Sequence, residues 1–216
     1  MKIKVMMLAL ATTLASQAAV YTLSNGASAT SNGIGNNAGV AYQNSANASF
    51  AGPGVTQFGI FSTDALSSAT SSATLISAFT PFSGINTFAA AGPAGARGTF
   101  TNAAAPFLIT GSQFAGKNMY LFVGNGSTFV GSTEYLVLKT TFVFNASDDS
   151  NPNPIVNTLT AGNSTVLFGK TSADLRTTTA DASATPGFGT VVPIPEPSAA
   201  LLGAIGALGL LRRRRN

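Results

Sequence analysis

From Val55 onward the chain is built of apolar segments of strand length, each closed by Gly, Asn, Pro or Ser: VTQFGIFS, TLISAF, FLIT, NMYLFVG, TEYLVLKTTFVFN and TVLFGK. Segments of this length and spacing predict strands joined by turns in an antiparallel fold. Their Phe, Tyr, Val, Ile and Thr side chains are flat or branched and pack well on a pleated surface. Gly124-Asn125-Gly126 is a turn signal and predicts a hairpin joining Met119–Val123 to Thr128–Val130. Between Ala65 and Phe79 the run ALSSATSSATLISAF admits a competing helix, but its Ser and Thr content and thin apolar face favour it no more than a strand. The fold expected is all-β, an antiparallel sandwich of jelly-roll-like form. Residues 19–53 are rich in Asn, Gly, Ala and Ser without sustained alternation, and are expected to be poorly ordered apart from short strands at Val20–Leu23 and Ala48–Phe50.

Charge narrows the function classes. Charged residues make up 8% of the chain, against about 25% in an average soluble protein, so the surface is polar but thinly charged. The net charge of +4 comes from the two ends. Between Ala19 and Val192 there are five cations (Arg97, Lys117, Lys139, Lys170, Arg176) and six anions (Asp64, Glu134, Asp148, Asp149, Asp174, Asp181). No basic patch for phosphate neutralisation can be assembled from them, and no nucleic-acid partner is expected. The chain has neither Cys nor His, which excludes disulfides, thiol chemistry, imidazole proton transfer and the usual zinc ligand sets.

The first eighteen residues place Lys2 and Lys4 before an apolar run from Val5 to Leu14, with Ser16 and Ala18 at the −3 and −1 positions of a cleavage site. That order is the one export requires, and a buried helix would not need it. The run is short of the roughly 20 apolar residues of a spanning helix, so residues 1–18 are read as a signal peptide cut between Ala18 and Ala19. At the other end, residues 193–216 read PIPEPSAALLGAIGALGLLRRRRN. Pro193, Pro195 and Pro197 form an extended spacer, and Ser198 can cap a helix starting beyond it. The uncharged stretch Ala199–Leu211 suits lipid on every face. Arg212, Arg213, Arg214 and Arg215 mark the cytoplasmic side. Thirteen residues rise only about 20 Å, so a transmembrane helix here needs arginine snorkelling or a thinned bilayer. An ordinary tail anchor is the plainer alternative, but it would not ask for a Pro-Glu-Pro spacer.

Pro195-Glu196-Pro197, the apolar helix and the terminal arginines resemble the PEP-CTERM sorting signal of envelope proteins handled by exosortase, over residues Val192 to Asn216. FAGKNMYLFVGNGS, Phe114 to Ser127, also looks like a strand pair of small PEP-CTERM domains. The resemblance implies transient anchoring in the cytoplasmic membrane, cleavage near Pro195–Pro197, and export machinery and exosortase as partners. It further implies a location in the envelope, at the cell surface or in the extracellular matrix, with exopolysaccharide as a partner there. The division expected is 1–18 leader, 19–192 secreted β-rich domain and 193–216 sorting signal and anchor.

Within 19–192 four constellations bear on chemistry. Gly111–Lys117, G-S-Q-F-A-G-K, matches a phosphate loop except that Asn118 replaces the magnesium-binding hydroxyl, and the strand-like MYLFVG follows where a helix is needed. Asp149, Asn151 and Asn153 alternate oxygen ligands in a loop as calcium prefers, yet no bidentate Glu follows and Pro152 and Pro154 restrict the backbone, which favours a solvated turn. Glu134 and Asp149 are the residues a carboxylate-only hydrolase would use; on a strand, Glu134 reads more simply as an outward-facing solubility residue. The Phe and Tyr side chains could stack on sugar rings, but their place in apolar segments makes core packing the simpler role. No catalytic residue and no cofactor is expected. The reading is a non-enzymatic structural or adhesive protein, with a secreted carbohydrate-binding module as the alternative.

Overall fold

The computed structural model describes residues 19–25, 33–38, 41–42, 53–66, 70–88, 98–104, 106–148, 155–171 and 187–193. Their architecture is mostly β. The chain runs β1 (Tyr21–Ser24), β2 (Ile34–Gly35), β3 (Val55–Phe61), α1 (Ser72–Ala78), β4 (Phe79–Pro81), β5 (Asn86–Thr87), β6 (Thr101–Ala103), β7 (Asn118–Gly124), β8 (Tyr135–Val143), β9 (Ile155–Thr158), a 3-10 turn (Ala161–Asn163), β10 (Ser164–Phe168), β11 (Lys170–Thr171) and β12 (Phe188–Gly189).

The central sheet has strand order β10-β8-β7-β3-β4, with β5 also paired to β3, and every pairing in it is antiparallel. From Met119 to Gly124 in β7 and from Tyr135 to Leu138 in β8 the chain is apolar without interruption, MYLFVG and YLVL. Such strands suit a sheet covered on both faces, where alternation would expose half the side chains. Along β3, β7 and β8 the side chains of Phe58, Met119, Leu121, Val123, Leu136 and Leu138 enter one apolar cluster. Val55, Phe61, Tyr120, Phe122, Tyr135 and Val137 enter the other.

Two small sheets supply the first cover. In one, β1 lies between β6 (antiparallel) and β9 (parallel); in the other, β12 lies between β11 (antiparallel) and β2 (parallel). Tyr21, Leu23, Ile34, Tyr42 and Phe188 from these segments pack in the cluster with Phe58. Residues 21–24 form a strand, as expected for Val20–Leu23, and residues 34–35 and 41–42 also build core, where poor order was expected; Ala48–Phe50 lies outside the described residues. The other face is covered by α1, through Leu75 and Ala78, and by Phe129 from the loop after β7.

Aromatic rings knit each cluster. The Phe122 ring stacks on Phe129 at 4.4 Å and meets Phe79, Phe61 and Tyr135 at 5.1, 5.6 and 5.6 Å. On the opposite face Phe82 holds the same position among Phe144, Phe114, Tyr21 and Phe58, at 4.6 to 5.6 Å. A bulge between Val166 and Phe168 reverses the alternation of β10 against β8. Val166 thus packs with the Phe58 cluster while Phe168 joins Phe122 on the far side.

Three local expectations are corrected. Residues 72–78 are helical: the Ser71 hydroxyl accepts from the Thr74 amide at 3.2 Å as an N-cap, and one buried edge, Leu75 and Ala78, suffices because the sheet supplies the other half of the contact. β7 pairs with β8 and not with Thr128–Val130, which lies in a ten-residue loop, 125–134. There Asn125 Oδ1 accepts from the amides of Thr133 (2.8 Å) and Glu134 (3.1 Å), and the Tyr135 hydroxyl reaches the carbonyls of Phe129 and Ser132 at 2.6 and 2.7 Å. Those bonds close the loop without a two-residue turn. FLIT contributes one bridge, Ala19 with Phe107, and then turns.

Gly59 cannot carry a side chain, since a Cβ would stand 2.1 Å from the Thr80 carbonyl oxygen where β3 meets β4. Phe122→Ala is expected to lower unfolding free energy by about 3–5 kcal/mol in urea titration. Val130→Ala, at a side chain 83% exposed, is expected to change it by less than about 0.5 kcal/mol.

Candidate functional site

A cleft of about 500 Å³ opens where the end of β3 and the residues after it meet β7 and β8, lined by Ile60, Phe61, Ser62, Thr63, Asp64, Gly116, Lys117, Asn118, Tyr120 and Lys139. Register builds it. Tyr120 and Lys139 are directly opposed on β7 and β8, and Gly59 opposes Tyr120 from β3. The chain leaving β3 carries Asp64 over this pair. The Tyr120 hydroxyl donates to Asp64 Oδ1 at 2.5 Å, and the Lys139 ammonium is salt-bridged to Oδ2. The same ammonium lies 5.9 Å from the centroid of the Tyr120 ring, within reach of a cation–π attraction.

Each charge state follows from these contacts. Hydrogen bonds from Lys139 and then Tyr120 hold the Asp64 carboxyl below its ordinary range, and Asp64 in turn raises Lys139. Desolvation first, and the bond to Asp64 second, push the Tyr120 phenol up. At neutral pH the cleft therefore holds a carboxylate, a neutral phenol and an ammonium. Lys117, on the rim, brings a second ammonium that has no partner among the described residues.

A second polar group lies at the start of β8. Glu134 is half-buried, and its Oε2 accepts from the Thr190 hydroxyl at 2.7 Å and the Asn37 amide at 2.8 Å. With the Thr190 proton directed to Glu134, the hydroxyl of Tyr42, 2.9 Å from Thr190 Oγ1, is the donor in that pair. Burial pushes the Tyr42 phenol far up, so it stays neutral. Glu134 is thus no outward-facing solubility residue: it joins β8 to the loop after β2 and to the segment after β12. Val191 is fixed there too, exchanging backbone bonds of 2.9 Å with Tyr135 in both directions.

The remaining sequence candidates divide between described and undescribed residues. Asp149, Asn151 and Asn153 lie outside the described residues, as do Ala18, Pro195, Glu196, Pro197 and Arg212–Arg215. Asp148 is described: its Oδ1 accepts from the amides of Ile109 (2.5 Å) and Thr110 (3.2 Å), closing the turn before β7. Among the described residues no three of Asp, Glu, His or Cys gather as a metal would require, and the carboxylates of Asp64, Glu134 and Asp148 are held by different partners. Gly111–Lys117 is a series of turns, with the Gly116 and Lys117 amides bonded to chain carbonyls and β7 starting at Asn118, so no helix follows to face a phosphate. Ala19 is buried and pairs with Phe107 through two bonds of 3.0 Å.

Sequence reasoning missed the Asp64–Tyr120–Lys139 group. One signal was present: Lys139 is the only charged residue within the long strands β3, β7 and β8, and an ammonium inside an apolar ladder needs a partner.

Two outcomes are expected. Glu134→Ala removes the acceptor for Asn37 and Thr190; a loss of about 1–3 kcal/mol is expected, with faster hydrogen exchange across residues 187–191, and unchanged exchange there would show that the carboxylate does not hold the segment. Because the Asp64 pKa is lowered on folding, its contribution is present above the ordinary carboxylate pKa and is lost as pH falls through the lowered one. Thermal midpoints measured from pH 5 to pH 2 should fall less steeply for Asp64→Asn than for the unchanged chain. No protein-family model matches the chain, and searches of curated proteins and of solved structures found no match.

Proposed function

We propose that the chain is an exported protein of the cell surface or extracellular matrix, sorted through a C-terminal PEP-CTERM signal by an exosortase, with a structural or adhesive role in the envelope or its exopolysaccharide. The observation that carries the reading is the order of parts at the two ends: cations, an apolar run and Ala18 at the start, then Pro195-Glu196-Pro197, an uncharged stretch and four arginines at the finish. In this reading residues 199–211 form a short transmembrane helix until processing. The body belongs to the β-sandwich class, the two small sheets forming the second layer against one face of the central sheet.

The body's own chemistry supports the assignment. It is held by aromatic packing and hydrogen bonds without a single cysteine, so its stability does not vary with the redox state of its surroundings. Pro193 is buried and Val191 is ladder-paired. The proposed cleavage motif, Pro195–Pro197, begins two residues after Pro193 in the sequence.

A second reading, a secreted carbohydrate-binding module, is favoured by one observation, the polar cleft at Asp64, Lys117 and Lys139.

The sorting route is tested by mass spectrometry of the C-terminal peptide from cells with and without the exosortase. Loss of Arg212–Asn216 only in cells that contain the enzyme is expected; an intact arginine tail on the mature surface protein would refute processing.

A further inference from the structure

We propose that the cleft between β3, β7 and β8 binds a singly charged, hydroxyl-bearing ligand: a carboxylate carried on a sugar framework, as in a hexuronic acid residue of a saccharide. The inference rests on the carbohydrate-binding reading and is independent of the sorting route.

The balance of charge identifies the ligand. Lys117 and Lys139 bring two ammonium groups and Asp64 one carboxylate, so the site has one positive charge to offer. Lys139 is engaged by Asp64, and the Lys117 ammonium, unpartnered among the described residues, is the group placed to take a ligand carboxylate. A single carboxylate suits that balance. A phosphate dianion would bring a second negative charge towards Asp64, and in the low dielectric of a cleft the repulsion would not be screened away.

Asp64 serves a different part of the ligand. The Tyr120 and Lys139 bonds fix its orientation with one contact on each oxygen, and a carboxylate oxygen has lone pairs for a further donor. Hydroxyl groups of a sugar are such donors. Ser62 and Thr63, both exposed on the same rim, and half-buried Asn118 extend the polar lining. Ile60, Phe61 and Tyr120 give the wall an apolar part against which the C–H face of a ring can lie. The cleft volume, about 500 Å³, falls in the range of about 300–1,000 Å³ usual for small-ligand sites.

The test uses the full chain in isothermal titration at low ionic strength with three probes: a trisaccharide with one galacturonic acid residue between two galactose residues, the same trisaccharide with its carboxylate reduced to a hydroxymethyl group, and inorganic phosphate. Binding of the acidic trisaccharide is expected, with the reduced form and phosphate each weaker by roughly tenfold or more, as befits loss of a charge-assisted hydrogen bond. Lys117→Met is expected to weaken the acidic probe by a similar factor at an unchanged thermal midpoint, with Lys117→Arg retaining most of the affinity. Phosphate binding as tight as the acidic trisaccharide, or a Lys117→Met variant that binds like the unchanged chain, would overturn the proposal. Equal binding of the acidic and reduced trisaccharides would remove the charge assignment while leaving the carbohydrate-binding reading in place. No binding of either trisaccharide would remove both.

Discussion

β7 is uncharged from Asn118 to Gly124, and every residue after the first is buried. A strand of that kind sends apolar side chains to both sides of its sheet, and neither side can be left to water. The rest of the fold answers that demand. On one side the cover is a seven-residue helix and a ten-residue loop; on the other it is two small sheets drawn from both ends of the described chain. Segments that look dispensable by composition, such as Tyr21–Ser24 and Phe188–Gly189, are required because Phe58, Leu121 and Leu138 would otherwise face solvent.

The same demand explains how polar groups are used. With few charges to distribute, the loops are closed by amide and hydroxyl side chains: Asn25 bonds both Gly98 and Phe100 at 2.8 Å, and Asn125 gathers Thr133 and Glu134. Where a charge does enter the framework it acquires fixed partners. Lys139 takes Asp64 and the Tyr120 ring; Glu134 takes Thr190 and Asn37. The first pairing leaves a cleft beside it and the second a closed joint, which is why only the first reads as a place for a ligand.

What was legible in the sequence was set by sequence distance. β3, β7, β8 and β10 each lie within an apolar segment visible from composition alone, because a doubly covered strand is marked by its own residues. The helix at 72–78 was not separable from a strand, since its face is two residues wide and its definition comes from the Ser71 cap and the sheet beneath it. The partner of β7 was misread because Gly124-Asn125-Gly126 looks like a tight turn, whereas the Asn125 side chain closes the loop by accepting from a backbone amide nine residues away. The site was the least legible part: Asp64 and Lys139 are brought together by strand register, which no local pattern encodes. Glu134 was misjudged for the same reason, its partners being Asn37 and Thr190.

The two parallel pairings join early chain to late chain: Tyr21 with Ile155, and Ile34 with Phe188. Contacts of such high order carry a large loop-closure entropy before they return any stability, and they form late and slowly. β1 gains its parallel partner only at Ile155, and β2 only at Phe188, so the two small sheets are completed only when most of the chain is present. Both small sheets are therefore fastened by the far end of the described chain, and the segments that come first in sequence are held by those that come last.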